Sequence, residues 1–451
     1  MKSRLLFTTV LLGSLAASLT PVQLGAQEEN SKHIRYTVVD LGTLGGTYSY
    51  AWGLNNAGRV AGSAATRTQT DGLSQTAFLW DRGQITDLGT LGGFNTGLNS
   101  EAGGPNARGE SAVISETFLT DPNGEDVCGF GTHRQCLGAI WKDGVMTPLS
   151  TLGGNNSQAY WLNNRGQVVG FAENRHEEAK CATPSQRLRF EAVIWQPNGE
   201  ILELRPLRGD TAGFAWGINN NGEAVGTSGL CSNISLPPVP PSGPHAVRWD
   251  KEGSPHLIPG LGHINNIAND INNRGEVAGT SQLSDGTFRS FVWTRATGTH
   301  DIGSLPGSIQ TVVPCCHTMN DNGEITGFVI DGKGNMRAFF WKNKVMVDLN
   351  TLIPKNSPLY LLASESINAR GQIAGWGVNS KGDVHAFLAT PCGRDDGDRT
   401  YEDVRWCRNE GTDTTAGPDM STQRPNVVLS ENARKQLQQR LERRHHIGEP
   451  Q

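Results

Sequence analysis

The chain has 451 residues and a formal charge of −5; 56 of the residues are glycine, and only 18% are charged, where ~25% is ordinary. That acidity and the lack of a polybasic face exclude nucleic acid as the partner, and the glycine content argues against a helix-rich fold. Past the N-terminus no apolar run is long enough to span a membrane, so no membrane insertion is expected.

The opening MKSRLLFTTVLLGSLAASLTPVQLGA carries Lys2 and Arg4 ahead of an apolar run and ends small-x-small at Leu24, Gly25 and Ala26. This pattern predicts a secretory signal peptide over 1–26, cut after Ala26, and a secreted or periplasmic protein. Its removal takes the formal charge from −5 to −7. Eight cysteines in an exported chain are expected to be largely oxidised. Position pairs Cys128 with Cys136, Cys392 with Cys407, and Cys181 with Cys231 across successive units. Position leaves the adjacent Cys315 and Cys316 open between a bridge and two thiols.

From residue 36 the chain repeats itself. AWGLNNAGRVAGS, at 51–63, places Asn55 three residues before Gly58, and the same N-x-x-G recurs at Asn106/Gly109, Asn163/Gly166, Asn219/Gly222, Asn272/Gly275, Asn320/Gly323 and Asn368/Gly371. Asn first and Gly fourth is a tight-turn signature, so each copy predicts a hairpin. The return strands read RVAGS, QVVGF, EAVGT, EVAGT, EITGF and QIAGW. The second unit departs with ESAVI and is the least regular. A third run follows an insertion of variable length, as in TAFLW, EAVIW or RAFFW, with Trp80, Trp141, Trp195, Trp249, Trp293 and Trp341 closing the first six. A fourth run such as ITDLG completes the unit. Four short strands per unit predict one blade of a propeller, and the tryptophans are read as packing between blades.

The last unit ends at its third strand, HAFLATP, while YTVVDLG at 36–42 has no partner and fits the missing fourth. The expectation is therefore an all-β, seven-bladed propeller over 27–390, with its last blade closed by the N-terminal strand. Closure leaves no open ring edge with unpaired N–H and C=O groups. Four residues before each turn asparagine stand Ala51, Ala102, Ala159, Ala215, Ala268, Cys316 and Ser364, small as a crowded axis requires.

The DLGTLGG, GLNNAGRVAG and TAFLW runs, with HAF itself at His385, Ala386 and Phe387, resemble the bacterial extracellular HAF repeat proteins over about residues 36–390. The resemblance implies export and a repeated β architecture. It brings no catalytic residues. The tail, 391–451, is read as mostly disordered, with a short helix at 430–444.

No G-x-S-x-G, H-E-x-x-H, P-loop or zinc-type C-x-x-C is present, and nothing calls for a cofactor or a metal. DPNGED at 121–126 offers oxygen ligands but lacks calcium-loop spacing and is read as a surface turn. Three residues before each turn asparagine the chain places Trp52, Gly103, Tyr160, Trp216, Asn269, His317 and Glu365. If these reach the channel mouth, an aromatic arc faces a polar one, a surface suited to a sugar or a peptide. Otherwise they pack into neighbouring blades. The insertions near 114–137, 171–190 and 228–245 offer a second surface, on a rigid scaffold.

The leading reading is thus a non-catalytic scaffold that binds an extracellular glycan, peptide or protein. Its ligand-binding candidates are Trp52, Tyr160, Trp216, Asn269, His317 and Glu365. The alternative is a carbohydrate-active hydrolase or lyase in the central funnel, with His317 and Glu365 as acid and base. A purely structural envelope component is a third possibility.

Overall fold

The computed structural model describes residues 34–67, 74–178, 181, 186–234, 244–262, 265–393 and 406–407; the signal segment and the helix expected at 430–444 lie outside them. Local turn chemistry builds the hairpins. Asn55 Oδ1 accepts the main-chain N–H of Ala57 and Arg59 at 2.9 and 3.1 Å. Gly58 takes φ 84°, and all seven turn glycines share that left-handed conformation, which costs glycine least.

Each unit forms one antiparallel four-stranded sheet in chain order, as Gly45–Leu54, Val60–Thr66, Thr76–Asp81 and Gln84–Gly89 do in the first. Blades two to six span 100–148, 153–203, 212–258, 266–301 and 308–348. Blade seven consists of three strands within 360–391 with Tyr36–Asp40 as its fourth. Val38 lies opposite Ala389, Val39 opposite Leu388 and Asp40 opposite Phe387. The histidine of the HAF run takes part in this closure, since His385 Nδ1 is 2.8 Å from Asp40 Oδ2. A clasp lies outside it. Cys392 is bonded to Cys407, Trp406 Nε1 donates to Tyr36 O at 3.2 Å, and the Arg35 guanidinium sits 4.5 Å from the Trp406 ring.

The turn asparagines also join the blades. Asn55 Nδ2 donates to Asn106 O, Asn106 to Asn163, Asn163 to Asn219, Asn219 to Asn272, Asn272 to Asn320, Asn320 to Asn368, and Asn368 back to Asn55, at 2.9 to 3.2 Å. The seven amides close a circle. One residue on, a second row of bonds runs onto the side-chain oxygens of Asn56, Asn164, Asn220, Asn273 and Asp321, from the N–H of the blade before. It is interrupted only where the acceptor would be Ala107 or Ala369.

The return-strand glycine answers a close approach. A Cβ on Gly170 would stand 1.8 Å from Gln158 O, and on Gly226 2.0 Å from Phe214 O. Blade two has Val113 there, opposite Ala102, and still forms a full return strand, Ser111–Thr120, with Gly103 and Gly104 left out of the register between Ala102 and Pro105. Third-strand tryptophans fill the wider space outward; Trp195 and Trp249 are buried and donate to Ser150 O and Arg205 O in the connections between blades.

Candidate functional site

Antiparallel hairpins sort the loops. The N-x-x-G turns and the turns between third and fourth strands share one face of the ring, and the insertions and blade-to-blade connections share the other. The axis and this insertion face are the two places where a site was expected.

At the axis, every inner strand but that of blade six slips register by at least one residue at the position three before its asparagine, as between Ala51 and Gly53 or Ala159 and Trp161. The bulge breaks strict alternation and turns that side chain inward. Trp52, Tyr160, Trp216, Asn269 and Glu365 are all 5% exposed or less, and His317 is half-buried. Trp52 stacks on Tyr50 at 5.6 Å and donates from Nε1 to Ser63 Oγ at 3.1 Å. The Tyr160 ring lies 4.2 Å from that of Trp216, and its hydroxyl donates to Gln158 Oε1 at 2.6 Å. Glu365 accepts the Trp376 Nε1–H at 2.8 Å. Gly103 contributes no side chain. The aromatic side chains of this set are core.

His317 and Glu365 come from adjacent blades, yet no hydrogen bond joins the His317 side chain to Glu365 or to any other described residue, and its Nδ1 is buried without a partner. Asn269 Oδ1 is likewise unpartnered among the described residues. Cys315 and Cys316 are bonded, which resolves the pairing left open by position, and Cys316 and His317 both take positive φ, 77° and 81°.

The decisive axial residue is Trp161, two positions before its asparagine, a position the reading by repeats passed over. The equivalents are Gly53, Gly104, Gly217, Asp270, Thr318 and Ser366, so the signal was one indole in a column of small or polar residues. Its ring reaches out from blade three. A Cβ on Gly53 or Gly104 would come within 2.5 or 2.2 Å of it, and the His317 ring of blade six stacks on it at 5.1 Å. It therefore spans the axis. Beside it, burial pushes the Asp270 carboxyl above the usual range, opposed by the His317 imidazole and by the N–H of Met319 and Ile271, both at 2.8 Å.

The insertion face differs in kind. Cys128–Cys136 closes the second-blade insertion and Cys181–Cys231 ties the third to the fourth. In DPNGED, Asp121 Oδ1 accepts the N–H of Asn123 and Glu125 at 2.7 and 3.0 Å, which is how an ordinary turn uses its carboxylate. No cluster of metal-ligand side chains occurs among the described residues. Glu116 is buried beneath, accepting from Asn99 N at 2.7 Å and Nδ2 at 2.9 Å. On this foundation stand Phe94, Phe118 and Leu119, 60, 60 and 63% exposed. Both rings rest on the connection at 89–98, Phe118 against Gly92 and Phe94 against Gly89. The sequence carried their signal as an apolar pair ending a strand just ahead of a disulfide loop.

No family model matches the chain, and no curated protein matches it either. Among solved structures it is similar to virginiamycin B lyase from Staphylococcus aureus, at 10% identity and TM-score 0.45 over 79% of this chain and 99% of that one. It is also similar to a puromycin hydrolase, at 13% identity and TM-score 0.49, covering 75% of this chain and about half (51%) of that one. TolB from Acinetobacter baumannii is similar at 11% identity and TM-score 0.36, over 74% and 63% of the two chains.

Proposed function

We propose that the protein is an exported propeller of the HAF repeat kind that binds an extracellular glycan, peptide or protein without chemistry, through the insertion face. Four disulfides suit an oxidising compartment, and the first 26 residues supply the export signal. The observation that carries the reading is the exposure of Phe94, on the connection at 89–98, and of Phe118 and Leu119, at the end of the strand Ser111–Thr120 that leads into the disulfide-closed loop, over buried hydrogen bonds. Rings fixed in this way lose little conformational freedom on binding. At the axis, by contrast, Trp52, Tyr160 and Trp216 are packed, and the Glu365 carboxylate is engaged by Trp376.

The test is retention and product release over a panel of polysaccharides, peptides and envelope extracts. Retention without products is expected, weakened at least about tenfold by Phe118→Ala, a loss of about 1.4 kcal/mol. Products that vanish in Glu365→Gln would overturn this reading in favour of the hydrolase or lyase. Retention unaltered by Phe94→Ala and Phe118→Ala would remove the insertion face.

A further inference from the structure

The second-blade insertion meets the third blade over a group of carboxylates that no cation answers. Glu125 Oε1, in the second insertion, accepts the main-chain N–H of Arg187 and Leu188 in the third, at 2.5 and 3.0 Å. Glu173, on the return strand Val168–Glu177, accepts with Oε2 from Asn155 N, Asn156 N and Asn156 Nδ2, at 3.2, 2.9 and 3.0 Å. Its Oε1 accepts from Gln186 Nε2 at 3.2 Å. The same Asn156 amide donates to Asp121 Oδ2 at 2.8 Å, so one NH₂ group serves two acids from two blades.

All three carboxylates are buried, at 3% exposure or less. Among the described residues no Lys, Arg or His pairs with any of them. Arg189 on the neighbouring strand is committed to Glu178, Arg175 leans over Gly153, and His133 in the second insertion faces Gly124 O. Of the other nearby acids, Glu116 and Glu191 are bonded to Asn99 and Asn174, and Asp126, next to Glu125, accepts from Gly131 N at 2.8 Å with Oδ2 while its Oδ1 is buried without a partner among the described residues. Burial, then the negative Glu125 beside it, push the Glu173 carboxyl up to about 8 against its amide donors. Burial, and to a smaller degree Asp121, raise Glu125 also.

We propose that Asp121, Glu125 and Glu173 form a proton-dependent latch, which joins the insertions of blades two and three most firmly in acid medium and loosens them progressively as the medium is brought to neutral and slightly alkaline. Neither disulfide of the two insertions holds this seam. Cys128–Cys136 anchors one side within its own insertion and Cys181–Cys231 anchors the other to blade four, and neither crosses from two to three.

The sign follows from proton binding. The closed form keeps the Glu173 proton up to about pH 8, while an opened, hydrated carboxyl releases it above its ordinary 4.5. The ratio of closed to open therefore falls about tenfold per pH unit through that window and levels off above it. The consequence for ligand binding rests on the insertion-face reading; the latch itself does not.

Hydrogen exchange on the full chain without ligand tests it, with rates corrected for base-catalysed intrinsic exchange. Protection of the Asn155, Asn156, Arg187 and Leu188 amides should fall about a hundredfold between about pH 5.5 and 8.5, and should stay level in Glu173→Gln, which keeps an accepting oxygen but binds no proton. Glu125→Gln removes the neighbouring charge and should move the wild-type fall down by about one pH unit or more, so the inference can still fail if Glu173→Gln does not fold. A level wild-type profile, or the same fall in Glu173→Gln, overturns the latch. Ligand retention at the two pH values is read separately, so a protein that opens but binds nothing condemns the binding proposal alone.

Discussion

Replacing Asn320 by Asp isolates what the circle of asparagines contributes. The carboxylate keeps the oxygen that caps Asn322 N and Glu324 N at 3.0 and 3.1 Å, so the turn survives. It loses the NH₂ that donates to Asn368 O in the next blade at 2.9 Å and to Glu324 Oε2 at 2.7 Å. Asn320 is 2% exposed and Glu324 6%, so water does not replace these bonds. A neutral bond is worth about 1 kcal/mol and one to a carboxylate about 1.5 to 3, and a buried carbonyl is also left bare, which gives a cost of about 3 to 5 kcal/mol. The assay is reversible urea unfolding with the disulfides intact, read as a lower midpoint at unchanged slope. Adding Glu324→Gln should return about 1 to 2 kcal/mol, because glutamine can turn its amide toward the new carboxylate. By itself Glu324→Gln weakens a part-exposed pair with Lys342, worth less than about 1 kcal/mol, and turns the bond from Asn320 into a neutral one, a further loss of about 1 kcal/mol. A cost below about 1 kcal/mol for Asn320→Asp, or strict additivity in the double variant, would refute the role assigned to the circle.

Two further outcomes are expected. Serine at both Cys392 and Cys407 frees the clasp over Tyr36, so stability should fall by about 3 kcal/mol, with faster exchange concentrated in Tyr36–Asp40 and its partner strand; an even loss across all blades would contradict this. Trp161→Ala should cost about 3 to 5 kcal/mol and expose His317 to imidazole-modifying reagents, whereas Trp161→Phe should keep most of the protection; an unaltered His317 reactivity in the alanine variant would show that the indole does not shield the axis.

Local chemistry accounts for what could be read in advance. Asn55 and Gly58 need only their own turn to specify a hairpin, and seven such turns at a near-constant period count the blades. Counting strands then obliged Tyr36–Asp40 to pair with the last unit, because a missing fourth strand and an orphan first one have a single economical solution. Cys128 with Cys136 and Cys392 with Cys407 were legible for the same reason, short loops closing on themselves.

Tertiary structure decided the rest. For the position holding Trp52, Tyr160, Trp216, Asn269 and Glu365 the sequence left open a channel mouth or packing into neighbouring blades; a bulge at that residue, invisible in the alternation itself, accompanies their burial. Across the ring the Nδ2 groups reach carbonyls 48 to 57 residues along, and 313 for the Asn368 that returns to Asn55, so their circle exists only when the blades close. Trp161 matters because Gly53, Gly104 and His317 happen to stand around it, and Asp121, Glu125 and Glu173 become one titrating group only where two insertions meet. Repeats report what each unit does alone, and a site made between units depends on distances that no single unit contains.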